Sequence, residues 1–502
     1  MDNRLDRVSK PLSQIQIDGV FSQTLTKIQG NILKAHGRNY AAHLILNLAR
    51  VSRREIMNWF ADFADKYVTS ATQQSQQVSA FKKLVETKGS LESARRVDRI
   101  FFGAMFFTAE GYKKLGYLKT NDFRDPSFVA GMKISGPDRL GDPPVESWQD
   151  AYRQPVHAML LIANNNRQIL EEEAKRLVTE LGKLQVDVNL EIGTVSRNED
   201  DQLVDPFQYA HGVSQPQFFA EEVRRYKATQ KAPKGSGHWD TSAGPDLVLV
   251  QDPFVPDDIE ALGSYVVFRK LEMKVKEFNA KLAKLATALR LGSGDDAIEY
   301  AAALVLGRFR TGAPLVAWRP KTRLMDLPRT NNFDYRADAS GSICPFQSHV
   351  RKANPRGLGP NGMADERQHR IVRRGMNYTE ATSENTSEKG ESLKQGMLFI
   401  CYQARILRQF EFMQKRWLND ENFPREANGR DPISGQGEPW RPQKWQSLND
   451  SDISTKLSFG DFVQLKGGDY FFAPSITFLK NLRGESERAS KPHVTSLTRA
   501  LP

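Results

Sequence analysis

Two stretches concentrate polar side chains between apolar runs, and each carries one of the chain's eight histidines. Residues 207–216 centre on His211, within Tyr209-Ala210-His211-Gly212-Val213-Ser214-Gln215-Pro216. Residues 344–356 hold His349, within Ser348-His349-Val350-Arg351-Lys352-Ala353-Asn354-Pro355-Arg356. An imidazole can take up or release a proton near neutral pH, or ligate a metal. Nucleophilic chemistry has no such support: Cys344 precedes a proline, Cys401 lies in an apolar run, and both read as packing residues. Two cysteines exclude a disulfide framework and a Cys-based zinc or iron–sulfur site. Residues 357–362 match G-x-G-x-x-G. A dinucleotide fingerprint needs an apolar strand before it, whereas here Asn354-Pro355-Arg356 precedes it and Pro360 interrupts it, so it reads as a turn-rich loop. The sequons at Asn377, Asn385 and Asn449 carry no weight without secretion.

The elements that must position these residues occur in the same order twice. In the first half, residues 41–48 read as a buried strand, followed by a helix with Ile56, Trp59, Phe60 and Phe63 on its apolar side. Strands at 99–107 and 157–163 follow. A helix from about Arg167 places Leu170, Ala174, Leu177 and Leu181 on one stripe, and an alternating strand spans 186–192. That is the β-α-β-β-α-β order of a ferredoxin-like domain. The second half repeats it: a strand at 264–268, a helix carrying Val275, Phe278, Leu282 and Leu285, and strands near 370–373 and 397–402. A helix through Ile406, Phe410, Met413 and Trp417 and a last strand near 462–465 complete it. The fold class is therefore α+β, with two ferredoxin-like domains built on antiparallel sheets. The expected divisions are residues 1–205, a connecting segment 206–262 that carries the His211 motif, and residues 263–502. Segments 359–365 and 379–391 are polar and predicted to be loops.

With 502 residues, 39% of them hydrophobic, the chain can bury a large core. The +11 charge comes from 71 basic residues interleaved with 60 acidic ones, and the densest basic patch (351–356) is short, which argues against nucleic acid as a partner. No run approaches the roughly 18 apolar residues that suggest a membrane span. The first seven residues are polar and lack the apolar core of a secretory leader, so the expected location is the cytoplasm.

Along nearly its whole length the chain resembles the dye-decolourising (DyP-type) heme peroxidases, and in length and loops their larger, fungal-like members. Ile28-Gln29-Gly30-Asn31-Ile32-Leu33-Lys34 with His36-Gly37-Arg38 is similar to the family's N-terminal signature. Gly263-Ser264-Tyr265-Val266-Val267-Phe268-Arg269 is similar to its central strand. Residues 307–314, 431–436 and 470–475 resemble two family loops and its C-terminal strand. The resemblance implies two ferredoxin-like domains, with heme b in the C-terminal one, and hydrogen peroxide and an organic reductant as partners. It implies His349 as the axial ligand to heme iron, an imidazole being a common proximal ligand in peroxidases. It further implies Arg373 as the distal arginine stabilising charge as the O–O bond breaks, and Met397 and Phe399 as walls of the distal pocket. Asp431 matches the carboxylate that accepts the imidazole hydrogen bond, and Arg356 a partner for a heme propionate.

One departure bears on chemistry. Where the family has G-x-x-D-G, with an aspartate that takes the proton from peroxide, this chain reads Gln208-Tyr209-Ala210-His211-Gly212. Three readings follow. His211 shuttles the proton itself, as distal histidines do in unrelated heme peroxidases. Alternatively it ligates iron and closes the site, as in a non-catalytic bis-histidine heme-binding or sensing protein. Or the pocket serves a different heme reaction on a specific metabolite. Under the first reading, an ordinary imidazole pKa of about 6.5 places activity near or above neutral pH.

Overall fold

The computed structural model describes residues 21–117, 122–233, 236–318, 323–381 and 393–488. In the first half, β1 (Tyr40–Asn47), β2 (Phe102–Phe107), β3 (Ala158–Asn164) and β4 (Asp187–Thr194) form an antiparallel sheet in the order β2-β3-β1-β4. The apolar runs of β1, β2 and β3 are buried along almost all their length. Helices α1 (Arg53–Tyr67) and α2 (Arg167–Lys183) pack against this sheet. Each starts at a polar residue, Ser52 or Asn166, whose side chain accepts a hydrogen bond from the first turn. α2 buries Leu170, Ala174, Leu177 and Leu181, the stripe its spacing predicts.

The second half contributes β5 (Leu262–Met273), β6 (Met376–Ala381), β7 (Leu393–Gln403) and β8 (Val463–Ala473), in the order β8-β5-β7-β6. Its helix α3 (Val275–Ala288) buries Phe278, Leu282 and Leu285 against α4 (Gly294–Leu306). The two sheets do not stand apart. Phe472 of β8 pairs with Phe107 of β2, and Asn377 of β6 pairs with Thr194 of β4, so among the described residues eight strands close into one antiparallel barrel. Closure removes the exposed edges each half would otherwise present.

Residues alternate across β5 and β7, as strand geometry requires. On one face, Leu271, Met273, Met397 and Phe399 line a cavity. On the other, Lys270 reaches across the barrel to Glu191 of β4 at 2.9 Å, and Glu191 also accepts a hydrogen bond from the Tyr152 hydroxyl. Two strands that are not neighbours thus share an ion pair, which ties the halves together.

Three sequence expectations need correction. The strand expected at 370–373 is only Val372–Arg373, paired with Tyr402 and Cys401 of β7; on that side of β7 the longer partner is β6. The expected loop 379–391 therefore begins inside β6, and its remainder from 382 lies outside the described residues. β6 escapes a hydrophobicity reading because Asn377, Thr379 and Glu380 break its apolar pattern, while its pairing with β7 supplies the backbone hydrogen bonds. The expected loop 359–365 runs into a short helix, Gly362–Gln368, and Glu366 turns back to accept the backbone N–H groups of Gly357 and Gly359. No helix among the described residues is long and apolar enough to cross a membrane.

Candidate active site

His349 opens a short helix, α5 (His349–Ala353). α5 is held against the end of α4, because the Ser348 hydroxyl donates to the Leu304 carbonyl at 2.5 Å. Gly307 ends α4 with φ +92°, and a Cβ there would meet Val350 and Cys344 at 3.3 and 3.4 Å. A glycine both permits that turn and lets α5 approach.

The His349 ring lies in the cavity wall, with Nδ1 2.9 Å from Oδ2 of the fully buried Asp431. Asp431 is itself fixed: its Oδ1 accepts the backbone N–H groups of Ile433 (2.8 Å) and Ser434 (2.7 Å), and its own N–H donates to Leu418. A carboxylate can only accept, so Nδ1 carries the proton and Nε2 keeps its lone pair free. That is the arrangement of a metal-ligating histidine with an orienting carboxylate. Asp431→Asn should therefore lower the affinity for a metal centre held at Nε2 by about 10–100-fold, measured by titrating the protein with that centre.

The His211 segment lies along the same cavity. Asp205 nucleates its turn, accepting the Tyr209 N–H on Oδ1 at 3.0 Å, and Gln208 sits at φ +70°, left-handed backbone where the G-x-x-D-G motif has glycine. The N–H groups of Ala210 and His211 donate to the carbonyls of Arg310 and Leu203. Burial, with a smaller contribution from the Arg373 cation, lowers the His211 pKa to about 4. The imidazole is therefore neutral, and able to accept a proton, well into the acid range. A proton acceptor with this pKa would work at lower pH than the free-imidazole value suggests.

Arg373 lines the cavity and is tied to the same loop: its N–H donates to Gln215 Oε1 (3.1 Å) and its guanidinium to the Ser214 carbonyl (3.0 Å). Met397 and Phe399 also line the cavity, with Leu271, Met413 and Ile433.

Arg356 does not. It is fully buried outside the cavity wall, at φ +54°, with its guanidinium against the carbonyls of Asn331 and Phe333 and over the rings of Phe333 and Trp239. Besides Arg373, the cavity wall holds Arg308, Arg370 over the Trp239 ring, and Arg269, which is ion-paired with Asp142. Arg308 shares Asn331 Oδ1 with Arg356. Burial lowers the pKa of Arg308 and of Arg370 to about 10. Among the described residues, no carboxylate lies within ion-pairing distance of Arg308, Arg370 or Arg373, although Asp205 also lines the cavity. Arg308 lies within the 307–314 motif, where nothing in its spacing announces a place on the cavity. For Asp205 the signal in the sequence is an aspartate four residues before Tyr209 in a turn, and burial raises its pKa to about 7.

These residues fit a heme. One imidazole offers a free Nε2 between apolar walls, and Arg308 and Arg370, tethered by backbone carbonyls and without a carboxylate partner among the described residues, bring positive charge to the cavity wall. No cluster of three or more His, Cys, Asp or Glu side chains among the described residues could hold a bare metal ion. A metal on His349 must bring its other ligands with it, as porphyrin iron does.

Comparison with known proteins agrees. The profile of the DyP dimeric alpha+beta barrel domain matches residues 27–197, and that of the Dyp-type peroxidase C-terminal region matches residues 299–427. The chain is 34% identical over 496 residues to the multifunctional dye peroxidase DyP2 of Amycolatopsis sp., covering 95% of this chain and 99% of that protein. It is 30% identical to the dye-decolorizing peroxidase msp1 of Mycetinis scorodonius, over 75% of each chain. The crystal structure of an Anabaena sp. DyP-type peroxidase superposes with a TM-score of 0.80 at 34% identity, covering 93% of this chain and 96% of that one. The chain belongs to the DyP-type peroxidase family, whose cofactor is heme b.

Proposed function

We propose that this chain is a hydrogen-peroxide-dependent heme oxidoreductase of the larger DyP-type class, acting on an organic reductant, with His211 in the place of the usual distal aspartate. The observation that carries this reading is the pairing of His349 Nδ1 with the buried Asp431, which leaves Nε2 free on a cavity also lined by His211 and Arg373.

Heme iron, when bound, supplies the Lewis acid and the electrons that peroxide reduction consumes. His349 would hold the iron through Nε2, while Asp431 keeps its Nδ1 protonated and its ring oriented. Arg308 and Arg370 would take the propionates, the role sequence reasoning gave to Arg356. His211, neutral above about pH 4, accepts a proton from peroxide on a ring nitrogen and returns it to the departing oxygen, which leaves as water. Arg373, fixed by Ser214 and Gln215, places a permanent cation where negative charge builds on that oxygen. Met397 and Phe399 exclude water from the reacting face.

The test is the absorption spectrum of heme-loaded protein before and after one equivalent of hydrogen peroxide near pH 7. A high-spin ferric spectrum that changes rapidly with peroxide is the expected result. A low-spin spectrum indifferent to peroxide would mean that His211 ligates the iron, and would end the peroxidase reading.

A further inference from the structure

Lys352 stands one helical turn after His349 on α5 and is fully buried. Its ammonium donates to the carbonyls of Asp420 (2.6 Å) and Gly429 (2.8 Å). These bracket the segment that delivers Asp431, whose own N–H closes onto Leu418. Among the described residues no carboxylate lies within ion-pairing distance of Lys352, although its Nζ has two carbonyl partners. Burying an ammonium without a paired anion is costly, and a lysine placed only to brace a loop could be replaced by a neutral donor. Burial draws its pKa down to about 8, while Asp431 leads the charges that support its cationic form, ahead of Asp420 and Glu421. Asp431 in turn is a fully buried carboxylate, two residues beyond the Gly429 carbonyl that Lys352 holds, whose direct partners are the backbone N–H groups of Ile433 and Ser434 and the His349 ring.

We propose that Lys352 is a positioning residue for the His349–Asp431 pair: its buried cation moderates the pull of the Asp431 carboxylate on the His349 Nδ1 proton and thereby sets the reduction potential of the heme. The proposal rests on His349 as the axial ligand. The sign follows directly. A carboxylate relieved of a nearby cation is a stronger acceptor, it makes the imidazole more electron-donating, and ferric iron is favoured. Loss of the cation also favours the ferric charge through space. The first effect needs Asp431; the second does not.

The experiment is spectroelectrochemistry of the full-length, heme-loaded protein. Lys352→Gln keeps an N–H donor for the carbonyls and removes the charge; Lys352→Met serves if the Gln variant fails to take up heme. The expected result is an axial-histidine spectrum like that of the unmodified protein with a more negative midpoint, near-normal values in Lys352→Arg, and a smaller shift when Lys352→Gln is placed in an Asp431→Asn background. An unchanged or more positive midpoint, or an equal shift in both backgrounds, would overturn the proposal while leaving His349 ligation intact. His349→Ala is the separate control: if its heme spectrum matches that of the unmodified protein, the ligand assignment itself falls, and the proposal with it.

Discussion

Replacing His211 by alanine is expected to slow the reaction with hydrogen peroxide by about 10²–10⁴-fold, the usual worth of a positioned general acid–base. The loss should appear in the bimolecular rate with peroxide rather than in the later oxidation of the reductant, because the substitution removes the proton acceptor and leaves the other cavity residues in place. Heme content and the axial-histidine spectrum should be unchanged, since His349 and Asp431 are built by α5 and the 431–434 turn, not by the His211 loop. The variant should also lose the acid limb of the unmodified protein, whose peroxide reaction is expected to fall as His211 becomes protonated below about pH 4. Added imidazole should restore part of the rate. Stopped-flow mixing of both proteins with peroxide across pH measures all of this.

Arg373→Met is expected to cost about 10²–10³-fold in the same step, by analogy with removal of one donor from a site stabilising developing negative charge. It carries a second signature. Arg373 is, after burial, the other cause that depresses the His211 pKa, so its removal should move the acid limb upward, toward the ordinary imidazole range. Arg373→Lys keeps the charge but not the planar fork that reaches the Ser214 carbonyl, and should recover the position of the limb better than the rate. A limb that stays in place in Arg373→Met would mean that the two side chains do not act on one another across the cavity.

Much of this fold was legible because its core strands and helices are written in hydrophobic periodicity: the α2 stripe of Leu170, Ala174, Leu177 and Leu181 needs no context. β6 was not, since its polar residues find partners only once the barrel has closed. The closure itself is a tertiary event resting on the pairs Phe472–Phe107 and Asn377–Thr194, which no local pattern announces. At the site, His349, Asp431, Arg373, Met397 and Phe399 were placed through family resemblance, and the cavity or its Asp431 partner gathers all five. Arg356 shows the limit of that route. Seven residues from His349 in the chain, it turns away at a left-handed residue and spends its charge on carbonyls and ring faces, while Arg308, tethered by carbonyls and the Phe333 ring in the same manner, borders the cavity. The proton affinity of His211 was illegible for another reason: it is set by desolvation, which exists only after folding.

Asp205 offers the sharpest contrast to His211. Both line the cavity, and their surroundings push them in opposite directions, His211 down to about 4 and Asp205 up to about 7. A proton acceptor must be in its basic form: neutral imidazole in one case, carboxylate in the other. The decisive measurement is therefore the bimolecular rate constant of the heme-loaded protein with hydrogen peroxide from pH 3.5 to about 8.5. If His211 is the acceptor, the rate is level from about pH 5 upward and falls through about pH 4. A rate that is low at pH 5 and climbs through about pH 7 would assign the proton to Asp205 and contradict the role of His211.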